Sequence, residues 1–256
     1  MVGLSDDLRL ALDRVEFAKR AGLGGQQEPD PWQTKLLRST SKRILLNCCR
    51  QSGKSTMAAI LALHQALYQP SLVLVLAPAE RQSKELFAKI AAFYRNLGYF
   101  VPADSARKLG MKLANGSRIE ALPGTEKTIR GFSGAALLIV DEASRVDDGL
   151  YWALRPMLAV SGGALMMLST PYGKRGVFFE EWTEGGAGWE RYEVPASAVP
   201  RISPEFLEEE RRSLPEWVYR QEYECSFEDV EDQVFGHDLV VAAISDKITP
   251  LFREVS

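Results

Sequence analysis

The feature that most constrains this sequence is a short loop that joins an apolar run to a helical pattern. The run covers residues 44–47, the helical pattern is Lys54–Tyr68, and the loop over residues 48–55 reads Cys-Cys-Arg-Gln-Ser-Gly-Lys-Ser. A strand, a loop ending in Gly-Lys-Ser and a helix in this order are typical of a phosphate-binding loop, because backbone N–H groups and the helix N-terminus attract anions. Cys48 stands where the common pattern has its first glycine, so this loop is a variant form.

Further apolar runs of strand length alternate with helical patterns along the chain. The runs after the first are Leu72–Ala77, residues 137–141 and residues 165–170, and a second helical pattern covers residues 81–97. Strands that are buried on both faces and linked by crossover helices have this appearance. The sequence therefore predicts an α/β fold with a mainly parallel central sheet and helices on both faces. Asn115-Gly116, within residues 112–122, predicts a hairpin as a local antiparallel addition.

Both ends of the chain have a different, helical character. Ser5 is a plausible N-cap for one opening helix that ends at Gly22, and a polar stretch rich in Gly and Pro follows it. Ser203 is the predicted N-cap of a later helix with Pro204 at its first position, and a second helix is predicted over residues 215–225. We expect an N-terminal helical arm over residues 1–30, a core over residues 31–195 and a small helical C-terminal subdomain over residues 196–256.

Composition excludes several classes of protein. The 256 residues carry a net charge of −3, so no overall basic field draws the chain onto nucleic acid; any contact with DNA would have to be local, and binding to nucleic acid stays open. Three cysteines, two of them adjacent, make no disulfide framework, and with His237 they offer no metal-ligand spacing, so we expect no zinc site. No apolar run approaches the roughly 20 residues that cross a bilayer. The sequence indicates a cytosolic, reduced protein without a membrane span.

The loop residues have separate predicted roles toward a nucleoside triphosphate. Backbone N–H groups around Ser52 and Gly53 would converge on a phosphate, and Lys54 would reach the outer phosphates. Ser55 would place its hydroxyl on Mg²⁺, which prefers oxygen ligands, and Thr56 lies better near the α-phosphate. The alternative is that Gly53-Lys54-Ser55 only caps a helix.

The apolar run over residues 137–140 ends in two acids, Asp141 and Glu142. This ending places both carboxylates at the carboxyl edge of the sheet, where α/β proteins bind ligands. Asp141 would hold Mg²⁺ through its water shell, and Glu142 could orient and deprotonate the attacking water. Alternatively, the two acids cap the next helix.

Other polar residues follow or precede predicted strands. Ser169 and Thr170, before Pro171, could sense whether a γ-phosphate is present, or they could satisfy a turn. Gln33 could read the edge of adenine beside the indole of Trp32, or both residues could be structural.

Phosphoryl transfer also needs positive charge on the transferring group, and an arginine commonly supplies it. Arg130 lies in a glycine-flanked loop ahead of the Asp141 strand, a position suited to reaching a neighbouring subunit. Arg50, inside the phosphate-binding loop, is the candidate within the same subunit. Either residue could instead be an ordinary surface arginine.

Taken together, these motifs resemble the ATPase domain of the large terminase subunit, the motor that packages DNA into tailed bacteriophage capsids. The resemblance rests on Trp32-Gln33, the loop over residues 50–55, the acids after residue 137, the Ser169-Thr170-Pro171 segment, and residues 221–227. It implies a P-loop NTPase of the ASCE type, with Mg²⁺ as cofactor and residues from about Ala196 forming a lid. It also implies that Gln51 belongs to the ATP-binding loop, that Gln33 contacts adenine, and that Glu142 is catalytic. Ser169 and Thr170 would be the coupling motif, and Arg130 an arginine finger acting in trans.

The same resemblance implies a biological setting. The expected partners are double-stranded DNA, the portal protein, the small terminase subunit and further copies of the chain in a ring. The expected location is the host cell cytoplasm, at the portal of the procapsid. The family usually adds a nuclease domain after the lid, and this sequence reaches Ser256 without one, so we do not predict nuclease activity.

Two alternatives stay open from sequence. A helicase-type DNA translocase shares the loop and the acid pair but normally needs two such lobes. A switch or scaffold would bind ATP without turnover, and Glu142 argues against it because binding alone does not require that acid.

Overall fold

The structure is a computed structural model that describes residues 4–25, 28–98, 101–107, 109–124, 129, 131–229 and 243. The strands of this part are β1 (Arg43–Cys48), β2 (Leu72–Ala77), β3 (Ala103–Arg107), β4 (Gly110–Leu113), β5 (Arg118–Pro123), β6 (Ala135–Asp141), β7 (Ala164–Ser169) and β8 (Glu190–Val194). The helices are α1 (Leu4–Leu12), α2 (Arg14–Ala21), α3 (Pro31–Arg38), α4 (Lys54–Tyr68), α5 (Glu80–Asn96), α6 (Asp148–Leu154), α7 (Gly176–Thr183), α8 (Pro204–Ser213) and α9 (Glu216–Tyr223).

The strands form one sheet in the order β3-β4-β5-β2-β6-β7-β1-β8. Neighbours from β5 to β8 pair in parallel, whereas β4 is antiparallel to both β3 and β5. The mainly parallel sheet is thus confirmed, and so is the hairpin, whose turn has Gly116 at φ +89°. Strands β3 and β8 were not predicted from the sequence.

Helices cover both faces of the sheet, as predicted. Along β2, Val73 and Val75 belong to one buried cluster, while Leu74 and Leu76 belong to another. This alternation follows from the two-residue period of a strand. The first cluster includes residues of α2 to α5, and the second includes residues of α6 and α7. The sheet is therefore buried on both sides.

The opening segment is helical, but the predicted single helix is wrong. Asp13 interrupts it, since its carboxylate accepts hydrogen bonds from the backbone N–H groups of Val15 and Glu16 and so caps a second helix. Ser5 accordingly lies inside α1 and is not an N-cap. Gly22 ends α2 in the left-handed conformation, as predicted.

α2 packs into the main core. Phe17 is fully buried in the cluster that contains α4, and its ring lies edge-on to His64 with centroids 4.9 Å apart. Burial of His64 in this cluster lowers its pKa to about 4. Residues of α1 and α2 therefore contribute to the core, and the division of the chain at residue 30 stays a prediction.

The C-terminal helices lie at the periphery. Ser203 caps α8 by accepting a hydrogen bond from Phe206 N–H at 3.2 Å, with Pro204 at the first position, which confirms that prediction. α8 has no buried residue, and α9 buries Tyr219 and Gln221. Both are helical, as expected for a lid, whereas its boundaries at residues 196 and 256 stay a prediction. None of the helices in the described residues is both long and apolar enough to span a bilayer.

Replacing Phe17 by alanine tests whether the N-terminal helices are part of the core. We expect Phe17→Ala to lower the free energy of unfolding by about 3–5 kcal/mol in urea denaturation, because a buried ring is removed. Leu12→Ala is the control, since Leu12 is exposed on α1, and we expect a loss of about 0.5 kcal/mol or less. Equal, small losses for both variants would contradict this packing.

Candidate functional site

The predicted site residues gather where β1, β7 and β6 end. These three strands are neighbours, with Asn47 level with Ser169, and Asp141 level with Leu168. Because parallel strands end at the same edge of a sheet, the segments that follow them meet there. One additional strand, β7, separates the strand that leads into the loop from the strand that ends in the acids.

The loop after β1 turns sharply before α4 begins. Gln51 and Gly53 both have left-handed backbone conformations, at φ +57° and +96°. α4 starts at Lys54, as predicted, so the positive end of its dipole lies at the loop. A β-carbon on Gly53 would lie 3.2 Å from Gln33 Nε2, which leaves little space for a side chain. Ser52, Gly53 and the helix start thus have the arrangement of an anion-binding turn.

Lys54 is buried and contacts Glu142, the predicted catalytic residue, and Thr170, a residue of the predicted coupling motif. Its Nζ donates to Thr170 Oγ1 at 3.0 Å and lies 3.2 Å from Glu142 Oε1. Glu142 has φ +53°, an uncommon conformation for a residue with a side chain, and such strain clusters at functional sites. The loop, the acid strand and β7 therefore converge on one ammonium group.

Ser55 and Asp141 form a second contact beside the first. Ser55 Oγ donates to Asp141 Oδ2 at 2.8 Å. Burial, followed by the charge of Glu142, raises the pKa of Asp141, while the Ser55 hydrogen bond and Lys54 act in the opposite direction. Adjacent hydroxyl and carboxylate oxygens fit Mg²⁺, which prefers oxygen ligands. The described residues contain no cluster of three His, Cys, Asp or Glu for a metal, so a cation here would take its other ligands from water and phosphate.

Ser169 ties the end of β7 to the segment after Glu142. Its hydroxyl donates to the Thr170 carbonyl at 2.7 Å and accepts from Ser144 N–H at 3.2 Å. Ser144 belongs to a short 3-10 helix, Ala143–Arg145. Ser169 and Thr170 thus contact the acid segment and Lys54, respectively.

Of the two candidate arginines, Arg50 makes its contacts with another part of the chain. Arg50 Nε lies 2.5 Å from Glu222 Oε2 of α9, and Arg50 N–H donates to the Glu222 carbonyl at 3.1 Å. Its side chain is therefore directed at α9. Arg130 lies outside the described residues.

Trp32 and Gln33 lie in the first turn of α3, close to the loop. Gln33 is buried and its Oε1 accepts from Asp30 N–H at 3.0 Å, which caps the helix. Trp32 packs against the core, and its buried indole N–H has no hydrogen-bond acceptor among the described residues. Thr56 is half-buried on α4.

Sequence reasoning missed Arg201, which holds the loop in place. Its Nη1 donates to both carboxylate oxygens of Asp30, at 2.9 and 2.8 Å, and its Nη2 donates to the Ser52 carbonyl at 3.0 Å. Asp30 is buried, so this bridge also neutralises its charge. A single arginine in a loop carries no signal that could have identified a partner so distant in the chain.

Most of the chain matches the model of one known protein family. The family model described as terminase large subunit, T4likevirus-type, N-terminal, matches residues 45–240. The chain belongs to this family. A terminase large subunit from Thermus virus P23-45 is 27% identical over 252 residues, which cover 84% of this chain and 52% of that protein. This chain thus spans about half the length of that curated relative.

Solved terminase structures share the fold. The large terminase ATPase domain of Thermus phage P74-26 has a TM-score of 0.72 and 23% identity, and the match covers 83% of this chain and 98% of that domain. The large terminase of the thermophilic bacteriophage D6E, in complex with ADP, has a TM-score of 0.64 and 11% identity over 78% of this chain and 54% of that one. The expected P-loop NTPase fold of the ASCE type is confirmed, in agreement with the strand order.

Replacing Arg201 tests its bridge between Asp30 and the loop. We expect Arg201→Ala to lower the free energy of unfolding by about 1–2 kcal/mol, because a buried carboxylate loses its partner although the guanidinium is partly exposed. The control is Arg212→Ala, which breaks an exposed pair with Glu208 on α8 and should cost about 0.5 kcal/mol or less. A loss no larger for Arg201→Ala than for the control would argue against the bridge.

Proposed function

We propose that this chain is the ATP-hydrolysing motor domain of a large terminase, and that it uses ATP with Mg²⁺ to drive double-stranded DNA into a viral capsid. The observation that carries the proposal is the convergence of Lys54, Ser55, Asp141 and Glu142 at one edge of the sheet. Family membership and the ADP complex of the D6E terminase support it.

Binding of ATP would use the loop and the start of α4. Backbone N–H groups of residues 51–54 would hold the phosphates, and Lys54 would contact the outer ones. Mg²⁺, held by Ser55 and Asp141, would neutralise charge on the phosphates when bound. Asp141 would bind it in the ionised form, which the positive charge of the metal favours.

The ion pair between Lys54 and Glu142 suggests how the site responds to ATP. A γ-phosphate near Lys54 would compete with Glu142 for the ammonium group, and the carboxylate would then be free to accept a proton from water. The water oxygen would attack the γ-phosphorus, the bond to the bridging oxygen would break, and ADP and inorganic phosphate would leave. Thr170 accepts a hydrogen bond from Lys54, so movement of the ammonium group would also alter this bond. Ser169 donates to the Thr170 carbonyl, and the change would extend to it.

Replacing Glu142 by glutamine tests this mechanism. Glutamine keeps the size of the side chain but cannot accept the proton, so we expect kcat for ATP to fall by about 10²–10⁴-fold while ATP binding persists. The measurements are steady-state phosphate release and calorimetric titration with ATP. Glu180→Gln, an exposed carboxylate on α7, is the control and should behave like the wild type. Unchanged turnover of Glu142→Gln would refute the proposed role.

Arg130 is proposed to supply positive charge to the active site of a neighbouring subunit. We expect Arg130→Ala to lower kcat by about 10³-fold while retaining ATP binding, since a finger arginine acts on the transition state. Activity per molecule of the wild type should rise with protein concentration. Mixing Arg130→Ala with Lys54→Ala should restore part of the activity, because each variant supplies what the other lacks.

The same mixing experiment separates the two arginines. If Arg50 acts within its own subunit, Arg50→Ala should lose ATPase activity, and mixing it with Lys54→Ala should restore none of that activity. Wild-type turnover independent of concentration, together with no recovery in the Arg130→Ala mixture, would contradict a finger acting in trans.

The proposed setting is a ring of such chains in the host cell cytoplasm, at the portal of a procapsid, together with portal protein and small terminase subunit. The proposed organisation keeps residues 31–195 as the ATPase core and residues 196–256 as the lid and linker. One alternative is a switch that binds ATP without turnover, and ATP hydrolysis by the wild type would exclude it. A helicase-type translocase is the other alternative, and family membership favours the terminase assignment.

A further inference from the structure

A cavity of about 420 Å³ lies between the phosphate-binding loop and the C-terminal helices. Arg50 and Gln51 of the loop form one wall, and residues 201–203, Phe206 and Tyr223 form the other. This volume lies within the range of small-molecule pockets.

Phe206 presents an exposed aromatic ring to this cavity. α8 is polar and has no buried residue, and Phe206 on this helix is 44% exposed and lines the cavity. Its neighbour Leu207 makes the apolar contact between α8 and the core. The Phe206 ring is therefore not needed for that packing, and exposed apolar surface carries a cost in water.

The surroundings of Phe206 position its ring. Its N–H donates to Ser203 Oγ, and its ring packs edge-on against Tyr223 with centroids 6.1 Å apart at 74°. The Tyr223 hydroxyl donates to Glu210 Oε2 of α8 at 2.7 Å. A ring held in this way loses little conformational freedom when a ligand binds.

The position of Lys54 indicates how a bound nucleotide would be oriented. Its outer phosphates would lie near Lys54, and its base would lie at the far end, where the cavity is. Lys54 reaches Thr170 and Glu142, so the outer phosphates belong on the side of β7 and β6. β8 lies on the other side of β1, and the segment after it leads to Phe206. Arg201, in that segment, donates to the Ser52 carbonyl and so holds this wall of the cavity against the loop.

We infer that the cavity takes the base and ribose of the nucleotide, and that Phe206 is the platform on which the base stacks. The inference rests on the proposed ATP-binding function and adds a base-binding residue to it. Aromatic rings stack on any nucleobase, so Phe206 supplies affinity, and selection of adenine is left to a hydrogen-bonding group such as Gln33. Trp32 is less suited to stacking because it packs against the core.

The test compares a ligand that has a base with one that lacks it. Calorimetric titrations with Mg·ATP and with Mg·tripolyphosphate are made on the wild type, Phe206→Ala and Phe206→Tyr. We expect Phe206→Ala to weaken ATP binding and raise KM for ATP by about tenfold, with kcat little changed. Tripolyphosphate binding should stay as in the wild type, and Phe206→Tyr should restore ATP binding. Trp152→Ala removes an exposed aromatic ring on α6, away from the cavity, and should have no effect.

Two results would overturn the inference while leaving ATP binding by the loop intact. One is unchanged ATP affinity of Phe206→Ala, and the other is an equal loss for ATP and tripolyphosphate, which would mean that Phe206 acts through the loop structure. If the wild type bound neither ligand, the proposed function itself would fail and the inference with it.

Discussion

The ammonium group of Lys54 is the charge around which the rest of the site is organised. A buried charge is strongly unfavourable unless it is paired and hydrogen-bonded. Its two partners, Glu142 and Thr170, follow β6 and β7, so the pairing exists only because these strands lie beside β1 in the order β6-β7-β1. The sheet topology is therefore a requirement of the site. A ligand with phosphate groups would replace one anionic partner by another without leaving the charge unpaired.

The backbone of the loop is held from outside by the C-terminal part of the chain. The Ser52 carbonyl accepts from Arg201, and Arg50 N–H donates to the Glu222 carbonyl. Asn47, at the end of β1, donates through Nδ2 to the Cys225 carbonyl at 2.8 Å. These polar groups would otherwise need water or other partners. Any change in the loop on nucleotide binding must therefore alter contacts with the segment that carries α8 and α9.

The sequence predicted best the elements whose signals are local. The run into the loop and α4 was correct because a strand, a glycine turn and a helix follow one another without interruption. The acids after β6 were placed at the correct edge because parallel strands end together. Asp13 was missed as a helix break because its neighbours keep the apolar pattern on both sides. β8 was missed because the sequence Glu-Arg-Tyr-Glu-Val of this edge strand is more than half polar.

Contacts between distant residues could not be predicted in the same way. Asp30 and Arg201 are 171 positions apart, and nothing in either neighbourhood marks them as partners. Glu222 was part of the terminase resemblance, but its pairing with Arg50 depends on how α9 packs against the loop. The residues that gather at this edge of the sheet could therefore be predicted from the sequence, whereas the contacts that hold the loop in place required the fold.

Arg50 and Lys54 illustrate how position, more than charge, decides a role in this loop. The side chain of Arg50 is 67% exposed and that of Lys54 is 9% exposed, although only three residues separate them. For Arg50 to act on phosphate in its own subunit, it would have to leave Glu222, a carboxylate that is only 15% exposed. That movement would leave a largely buried charge without its cation, and such a loss is costly. The fold therefore favours a source of positive charge outside the loop, which is the role proposed for Arg130 of a neighbouring subunit.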